Sequence, residues 1–150
     1  AGQTQVGGGT SLASIIDAVN GYVRSQNRSM KEVSGEIKLR TIKKYVDEGL
    51  PIIWTMFSSH DYNSFVNKRT IERRSVNDWK AWKDKSKTEA RSINLRKDFM
   101  SAHACMIIGY NKATNEIAVS DSWGPSYAER WVPVEQMEQV SQGSIYLIDF

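Results

Sequence analysis

The most informative stretch of the sequence reads His103-Ala104-Cys105-Met106-Ile107-Ile108-Gly109-Tyr110, and after a short polar interval it continues Glu116-Ile117-Ala118-Val119-Ser120-Asp121. Both segments are short and apolar and contain β-branched residues, so each predicts a strand. The five residues between them, 111–115, are typical of a hairpin loop. We therefore expect two antiparallel strands, over residues 103–110 and 116–121.

This predicted hairpin brings His103 and Asp121 to the same end of the sheet, because the first residue of one strand lies beside the last residue of its antiparallel partner. An imidazole can exchange a proton near neutral pH. A carboxylate bound to one ring nitrogen fixes the tautomer and favours the charged ring. The pair is therefore a candidate for general acid–base catalysis. Two structural alternatives stay open: His103 satisfied by a local hydrogen bond, and Asp121 capping the turn after it.

Helical and strand patterns flank the hairpin and predict an α+β fold. Before it we expect a helix from Thr10 or Ser11 to Val23, a surface connection over 24–30, a helix over about 37–48, a buried strand over 52–57, a loop over 58–63, and one or two helices within 64–98. After it we expect a third strand over 128–132, a short helix over 133–140 and a last strand over 144–149.

Composition limits the class of protein. The chain has 150 residues, 40% hydrophobic and 25% charged, which is ordinary for one globular domain over residues 1–150. The single cysteine, Cys105, excludes an internal disulfide. No apolar run approaches the roughly 20 residues that cross a bilayer, and no signal-peptide pattern is present. These features leave the compartment unassigned, with an exported protein still allowed.

Positive charge is concentrated in residues 62–98, which hold eleven Lys or Arg and five Asp or Glu. We interpret this segment as a charged helical insertion on a mildly acidic body. Trp79 and Trp82 interleave with lysines, which would suit base stacking and phosphate contacts in a nucleic-acid-binding module. Acidic residues at helical pair distances favour instead a solvated face whose tryptophans dock on the body. Nucleic acid is therefore the less favoured partner.

Three motifs, in order along the chain, resemble one known family. They are Gly49-Leu50-Pro51-Ile52-Ile53-Trp54, the strand that begins at His103 and ends in Gly109-Tyr110-Asn111, and Ile117-Ala118-Val119-Ser120-Asp121-Ser122-Trp123-Gly124. Over roughly residues 37–150 the chain resembles the bacterial papain-like cysteine peptidases related to the bacteriocin-processing, double-glycine leader peptidases. The resemblance implies a papain-like fold, a peptide or protein substrate and no cofactor. It also implies His103 as general base and acid, oriented by Asp121.

The sequence departs from that family at the nucleophile. The resemblance places a cysteine in an N-terminal helix, shortly after an oxyanion-stabilising glutamine, but no cysteine precedes Cys105. Gln3 and Gln5 are not followed by one and receive no role. The abrupt start at Ala1, without an initiating Met, favours a chain that begins after the nucleophile's helix, and we expect this fragment to be inactive alone. The alternatives are an inactive relative that binds peptide and a reactive Cys105.

Other candidate sites are weaker. Cys105 lies two residues from His103 on the same strand face, and buried cysteines without a helix N-terminus or a cation are usually inert. Zinc is disfavoured because His60, His103, Cys105 and Asp121 lack the paired spacing of a zinc site. Trp123 would either cover the His103–Asp121 pair or belong to the core. A truncated fold would also expose apolar surface, through which it would self-associate.

Overall fold

Apolar and β-branched segments form one antiparallel sheet in the computed structural model, which describes residues 29–34, 37–95, 101–121 and 124–149. The strands are β1 Ser29–Ser34, β2 Ile52–Ser58, β3 Ser101–Asn111, β4 Glu116–Ser120, β5 Arg130–Pro133 and β6 Ser141–Asp149. Their order in the sheet is β1-β6-β2-β3-β4-β5, and all five neighbouring pairs are antiparallel. The α-helices of this described part are α1 Leu39–Asp47, α2 His60–Arg73, α3 Trp79–Ser92 and α4 Val134–Val140, and a short 3-10 helix spans Pro125–Tyr127. The predicted α+β class is confirmed.

The strand β2 lies inside the sheet, between β6 and β3. All but one of its seven residues are buried, and Ile52 and Trp54 have no exposed surface. A strand covered on both faces needs a continuous apolar run rather than an alternating one. The predicted strand over 52–57 is confirmed and extends by one residue.

The turn from α1 into β2 follows from a glycine and a proline. Gly49 adopts a φ of 75°, a conformation that costs glycine no steric strain, and its N–H donates to the Val46 carbonyl at 3.0 Å. Pro51 then cannot continue a helix. The amphipathic α1 buries Ile42 against the core. The helix predicted over about 37–48 is confirmed within two residues at each end.

The start of α2 corrects the sequence prediction. A loop was predicted over 58–63, but α2 already begins at His60. Ser59 Oγ accepts a hydrogen bond from the Tyr62 N–H at 3.0 Å and caps the helix. Tyr62 and Val66 are then buried in the core. The polar residues that resemble a turn in the sequence are therefore the capped first turn of a helix.

A buried carboxylate holds both helices of the charged segment on the sheet. Glu116, the first residue of β4, is fully buried and accepts hydrogen bonds from Arg69 Nη2 at 3.0 Å, Arg73 Nε at 3.2 Å and Trp82 Nε1 at 3.2 Å. A buried charge is tolerated only when it is paired and hydrogen-bonded. These contacts therefore fix α2 and α3 against β4, and both helices are part of the packed body.

The two ends of the sheet differ from the sequence predictions in detail. β1 overlaps the predicted surface connection over 24–30, and it pairs with β6 although its polar sequence gives no strong strand signal. The strand predicted over 128–132 is found at Arg130–Pro133, and the last strand begins at Ser141 rather than at residue 144. The helix predicted from Thr10 or Ser11 to Val23 lies outside the described residues. Among the helices described, none combines the length and the apolar character needed to cross a membrane.

Candidate active site

His103 and Asp121 meet at one end of the β3–β4 hairpin. His103 is the third residue of β3, and Asp121 directly follows β4. Along β3 the side chains of His103 and Cys105 are buried while Met106 is exposed, as the predicted pleat requires. His103 Nε2 lies 2.6 Å from Asp121 Oδ1, and the two side chains are only 3% and 1% exposed. The structure thus brings the two predicted side chains into direct contact inside the protein.

Beside an ionised Asp121, this contact favours the tautomer of neutral His103 that carries its proton on Nε2. An ionised carboxylate only accepts hydrogen bonds, so the Nε2–H of His103 donates to Asp121. Nδ1 is then the nitrogen that can take up and return a proton. A carboxylate on Nε2 holds the ring in this orientation. The arrangement can therefore act as a general base and then as a general acid.

A third buried side chain, Arg130, belongs to the same site. Arg130 opens β5, opposite Val119 of β4, and is 1% exposed. Its Nη2 donates to Asp121 Oδ2 at 3.0 Å, so that both oxygens of the carboxylate are bonded. Its Nη1 donates to the side-chain oxygens of Asn63 and Asn67, at 3.0 and 2.9 Å. The guanidinium therefore links the hairpin to α2 and offsets the charge of the buried carboxylate.

Sequence reasoning did not find Arg130, Asn63 or Asn67. Asn63 and Asn67 are four residues apart on α2 and so lie on one face of the helix. That spacing was the available signal, but it was hidden because residues 58–63 were predicted as a loop. Arg130 stands at the start of a short strand, where a charged residue is normally exposed.

Cys105 is next to the pair but has the properties of a core residue. It is 5% exposed. Burial raises the pKa of its thiol well above the ordinary value, and nearby Asp121 raises that pKa further, against a lowering effect of Arg130. The thiol is therefore neutral near pH 7, whereas a cysteine nucleophile acts as the thiolate. The structure agrees with the interpretation of Cys105 as a small core residue.

The other predicted candidates stand apart from this site or cannot be placed. His60 is exposed on the first turn of α2, with its Nε2 3.4 Å from Ser64 Oγ. In the part of the chain that the structure describes, no three His, Cys, Asp or Glu side chains are arranged to hold a metal ion. Trp123, Gln3 and Gln5 lie outside the described residues.

The two tryptophans of the charged segment have different environments. Trp82 is 5% exposed and its indole N–H donates to Glu116, so it docks on the body. Trp79 is 42% exposed, and its ring centroid lies 4.9 Å from the guanidinium carbon of Arg73. With Trp82 buried, the two rings do not form a continuous surface for stacked bases.

One comparison with known proteins identifies a family. A family model described as "Peptidase_C39 like family" matches residues 3–146, nearly the whole chain. Searches of the curated proteins and of the solved structures gave no match. The matched region includes the motifs around Gly49, His103 and Asp121 on which the resemblance was based, so the predicted relationship to papain-like peptidases is confirmed. The chain belongs to the Peptidase_C39-like family.

Proposed function

We propose that this chain is part of a cysteine peptidase domain of papain-like fold, in which His103 and Asp121 are two members of a Cys–His–Asp triad. The observation that carries the proposal is the buried 2.6 Å contact between His103 Nε2 and Asp121 Oδ1. Arg130 on the second carboxylate oxygen and membership of a peptidase-like family support it. The substrate class is a peptide or a protein.

In the proposed mechanism, His103 Nδ1 moves the protons. A cysteine thiol gives its proton to Nδ1, and the thiolate attacks the carbonyl carbon of a peptide bond to form a C–S bond. The imidazolium, held by Asp121, returns the proton to the leaving amine as the C–N bond breaks. A water molecule then loses a proton to Nδ1, attacks the thioester and releases the acid, and the thiol recovers its proton.

The proposal assigns the nucleophile to a cysteine upstream of these 150 residues. Cys105 is the single cysteine of the sequence, and its burial keeps it in the unreactive thiol form. The resemblance to papain-like peptidases assigns the nucleophile to an N-terminal helix, whose positive end favours a thiolate. The 150-residue chain alone is then expected to hydrolyse no peptide.

Covalent labelling of the longer protein tests this assignment. A peptide carrying a thiol-reactive electrophile is expected to label one cysteine outside residues 1–150, located by mass spectrometry. His103→Gln should lower the labelling rate about 10²-fold or more, since a positioned base contributes that much. Cys105→Ser should leave the rate unchanged, because the buried thiol takes no part.

Asp121→Asn tests the second member of the pair in the same labelling experiment. Asp84→Asn is its matched control. Asp84 is exposed on α3, so its substitution removes the same charge away from the site. Only Asp121→Asn is expected to slow labelling, and thermal melts show whether both variants are folded. Labelling at Cys105, or equal effects of the two substitutions, would contradict the proposal.

A second candidate function is a catalytically inactive domain that binds peptide. It is favoured by one observation: the family match reaches back to residue 3, yet no cysteine precedes Cys105. Under this alternative, a well-folded longer protein reacts with no thiol probe but still binds peptide, and that binding is insensitive to His103→Gln.

A further inference from the structure

A cavity lies at the other end of the β3–β4 hairpin from the His103–Asp121 pair. It encloses about 310 Å³ between α3, the hairpin loop and the first turn of α4, which is at the lower end of the range for small-molecule sites. Eight residues of β3 separate it from His103, on the order of 25 Å along the strand. Its walls are formed by Lys83, Ser86, Lys87, Lys112, Thr114, Asn115 and Glu135.

Three lysines of this cavity form no ion pair with any residue that the structure describes. Among the residues described, no carboxylate lies within ion-pair distance of Lys83, Lys87 or Lys112. Lys85, on the same helix, instead pairs with Glu72 at 3.0 Å. Lys83 and Lys87 are one helical turn apart and lie on the same face of α3. The positive charges of Lys83, Lys87 and Lys112 are thus not neutralised by a carboxylate of the described residues.

The cavity wall carries an excess of positive charge. Glu135 is the acidic residue in the lining, against three lysines, which leaves a formal excess of two positive charges. Glu135 lies too far from these lysines to form an ion pair with any of them in the described structure. Like charges gathered around a concave surface attract counter-ions strongly, because the low-dielectric walls focus the field.

Two buried hydroxyl groups in the wall can bond to an anion. Thr114 is 2% exposed, and its Oγ1 has no hydrogen-bond partner among the described residues. Buried polar atoms without a partner are rare in folded proteins. Ser86 Oγ accepts from Arg69 Nη2 at 2.6 Å, which leaves the Ser86 hydroxyl hydrogen for another acceptor. Both groups therefore have bonding capacity that the described residues leave unused.

The wall is held in place before any ligand arrives. Trp82 anchors α3 through Glu116. In the hairpin loop the Thr114 N–H donates to Asn111 Oδ1 at 3.2 Å, and the Asn115 carbonyl accepts from the Val134 N–H at 3.0 Å. The backbone elements that carry the site therefore need little rearrangement when a ligand binds.

We propose that this cavity binds a phosphoryl group, with the three unpaired lysines as its cationic ligands and the hydroxyls of Ser86 and Thr114 as donors. A phosphate monoester carries close to two negative charges near neutral pH and three strong acceptor oxygens. It therefore matches both the charge excess and the donors of the wall better than a carboxylate does. This assignment is independent of the proposed peptidase activity, because the two sites share no residue.

A titration of the full chain with inorganic phosphate tests the site. Chemical shifts of the backbone amides of Lys112, Thr114 and Asn115 are followed by NMR, with the ionic strength held constant by sodium chloride. The wild-type protein should show saturable shifts at these amides. Lys87→Gln and Lys112→Gln are each expected to weaken binding about tenfold. Glu135→Gln should strengthen it, because it removes the negative charge that opposes the ligand.

Lys80→Gln is the matched control. Lys80 is exposed on α3 and does not line the cavity, so its loss changes the net charge equally. Equal weakening by Lys80→Gln and Lys87→Gln, or the absence of saturable shifts in the folded wild type, would overturn the proposal. Phenyl phosphate distinguishes the source of the group: tighter binding than inorganic phosphate indicates a phosphomonoester ligand, and equal binding indicates free phosphate.

Discussion

The side chain of Arg130 connects three elements through two of its nitrogens. One nitrogen bonds to Asp121 beside β4, and the other is shared by Asn63 and Asn67 of α2. Arginine suits this position because its planar group presents donors in fixed directions, whereas lysine offers a single compact charge. We therefore regard Arg130 as a positioning residue that acts on His103 through Asp121.

Arg130→Gln is expected to lower the free energy of unfolding by about 3–5 kcal/mol, since it leaves the buried Asp121 carboxylate without its cation. Arg130→Lys keeps the positive charge but lacks the planar guanidinium with its donors in fixed directions. This variant should therefore be more stable than Arg130→Gln and less stable than the wild type. Urea denaturation followed by circular dichroism measures both variants. Arg91→Gln, at an exposed position of α3, is the control. A similar loss in Arg91→Gln would show that Arg130 has no special role.

Individual residues of the site differed in how well the sequence revealed them. His103 and Asp121 could be placed together because one hairpin joins them, and the pairing of strands within a hairpin depends only on neighbouring sequence. Arg130 could not, because Asn63 and Asn67 are 67 and 63 positions away in the sequence. No local pattern reports a contact that depends on how a distant helix packs.

At the scale of elements, apolar periodicity was a good guide to strands and a poorer guide to helix ends. The continuous apolar run of β2 and the Gly49–Pro51 turn were predicted correctly. The start of α2 was not, because a capping serine followed by polar residues has the composition of a turn. The burial of Glu116 had no signal in the sequence, since a glutamate is almost never enclosed unless it is paired.

Glu116→Gln is expected to loosen α2 and α3 from the sheet. The amide cannot balance Arg69 and Arg73, and its NH₂ group adds a donor where three donors already converge, so we expect a loss of about 3 kcal/mol in unfolding free energy. Amide hydrogen exchange should become faster in α3 than in β2. Glu89→Gln, which removes only a surface partner of Lys85, is expected to have a much smaller effect. Uniform acceleration across α3 and β2 would instead indicate global destabilisation.

For the whole molecule, the order of strands was beyond the reach of the sequence. The hairpin of β3 and β4 was predicted, but β6 lies between β1 and β2, which come more than 80 residues earlier. Such long-range pairing depends on which edges remain after the local hairpin has formed. Patterns along the chain were therefore sufficient to predict the α+β class. They were not sufficient to predict the order of the strands in the sheet.

The domain should lose stability at alkaline pH. Burial raises the pKa of both Cys105 and Tyr62 well above their ordinary values, so each stays protonated in the folded state. The unfolded chain releases these protons near about pH 8.5 and pH 10. Because the folded state then binds more protons, stability falls as the pH rises through those values.

Urea denaturation between pH 7 and 10.5 should show this fall in the free energy of unfolding. Cys105→Ala should reduce the loss of stability near about pH 8.5, where the unfolded thiol ionises. If the variant and the wild type lose stability identically over this range, the loss does not come from Cys105.

The hairpin that joins His103 to Asp121 also affects the order of folding. The two side chains are 18 positions apart, and a loop of that length costs little entropy to close. Hairpins form in roughly 1–10 μs, well before contacts between distant segments. We therefore expect the imidazole and the carboxylate to meet early. The guanidinium of Arg130 reaches Asn63 and Asn67 only when α2 docks. The His103–Asp121 pair is therefore expected to form before the Arg130 contacts that hold it rigid.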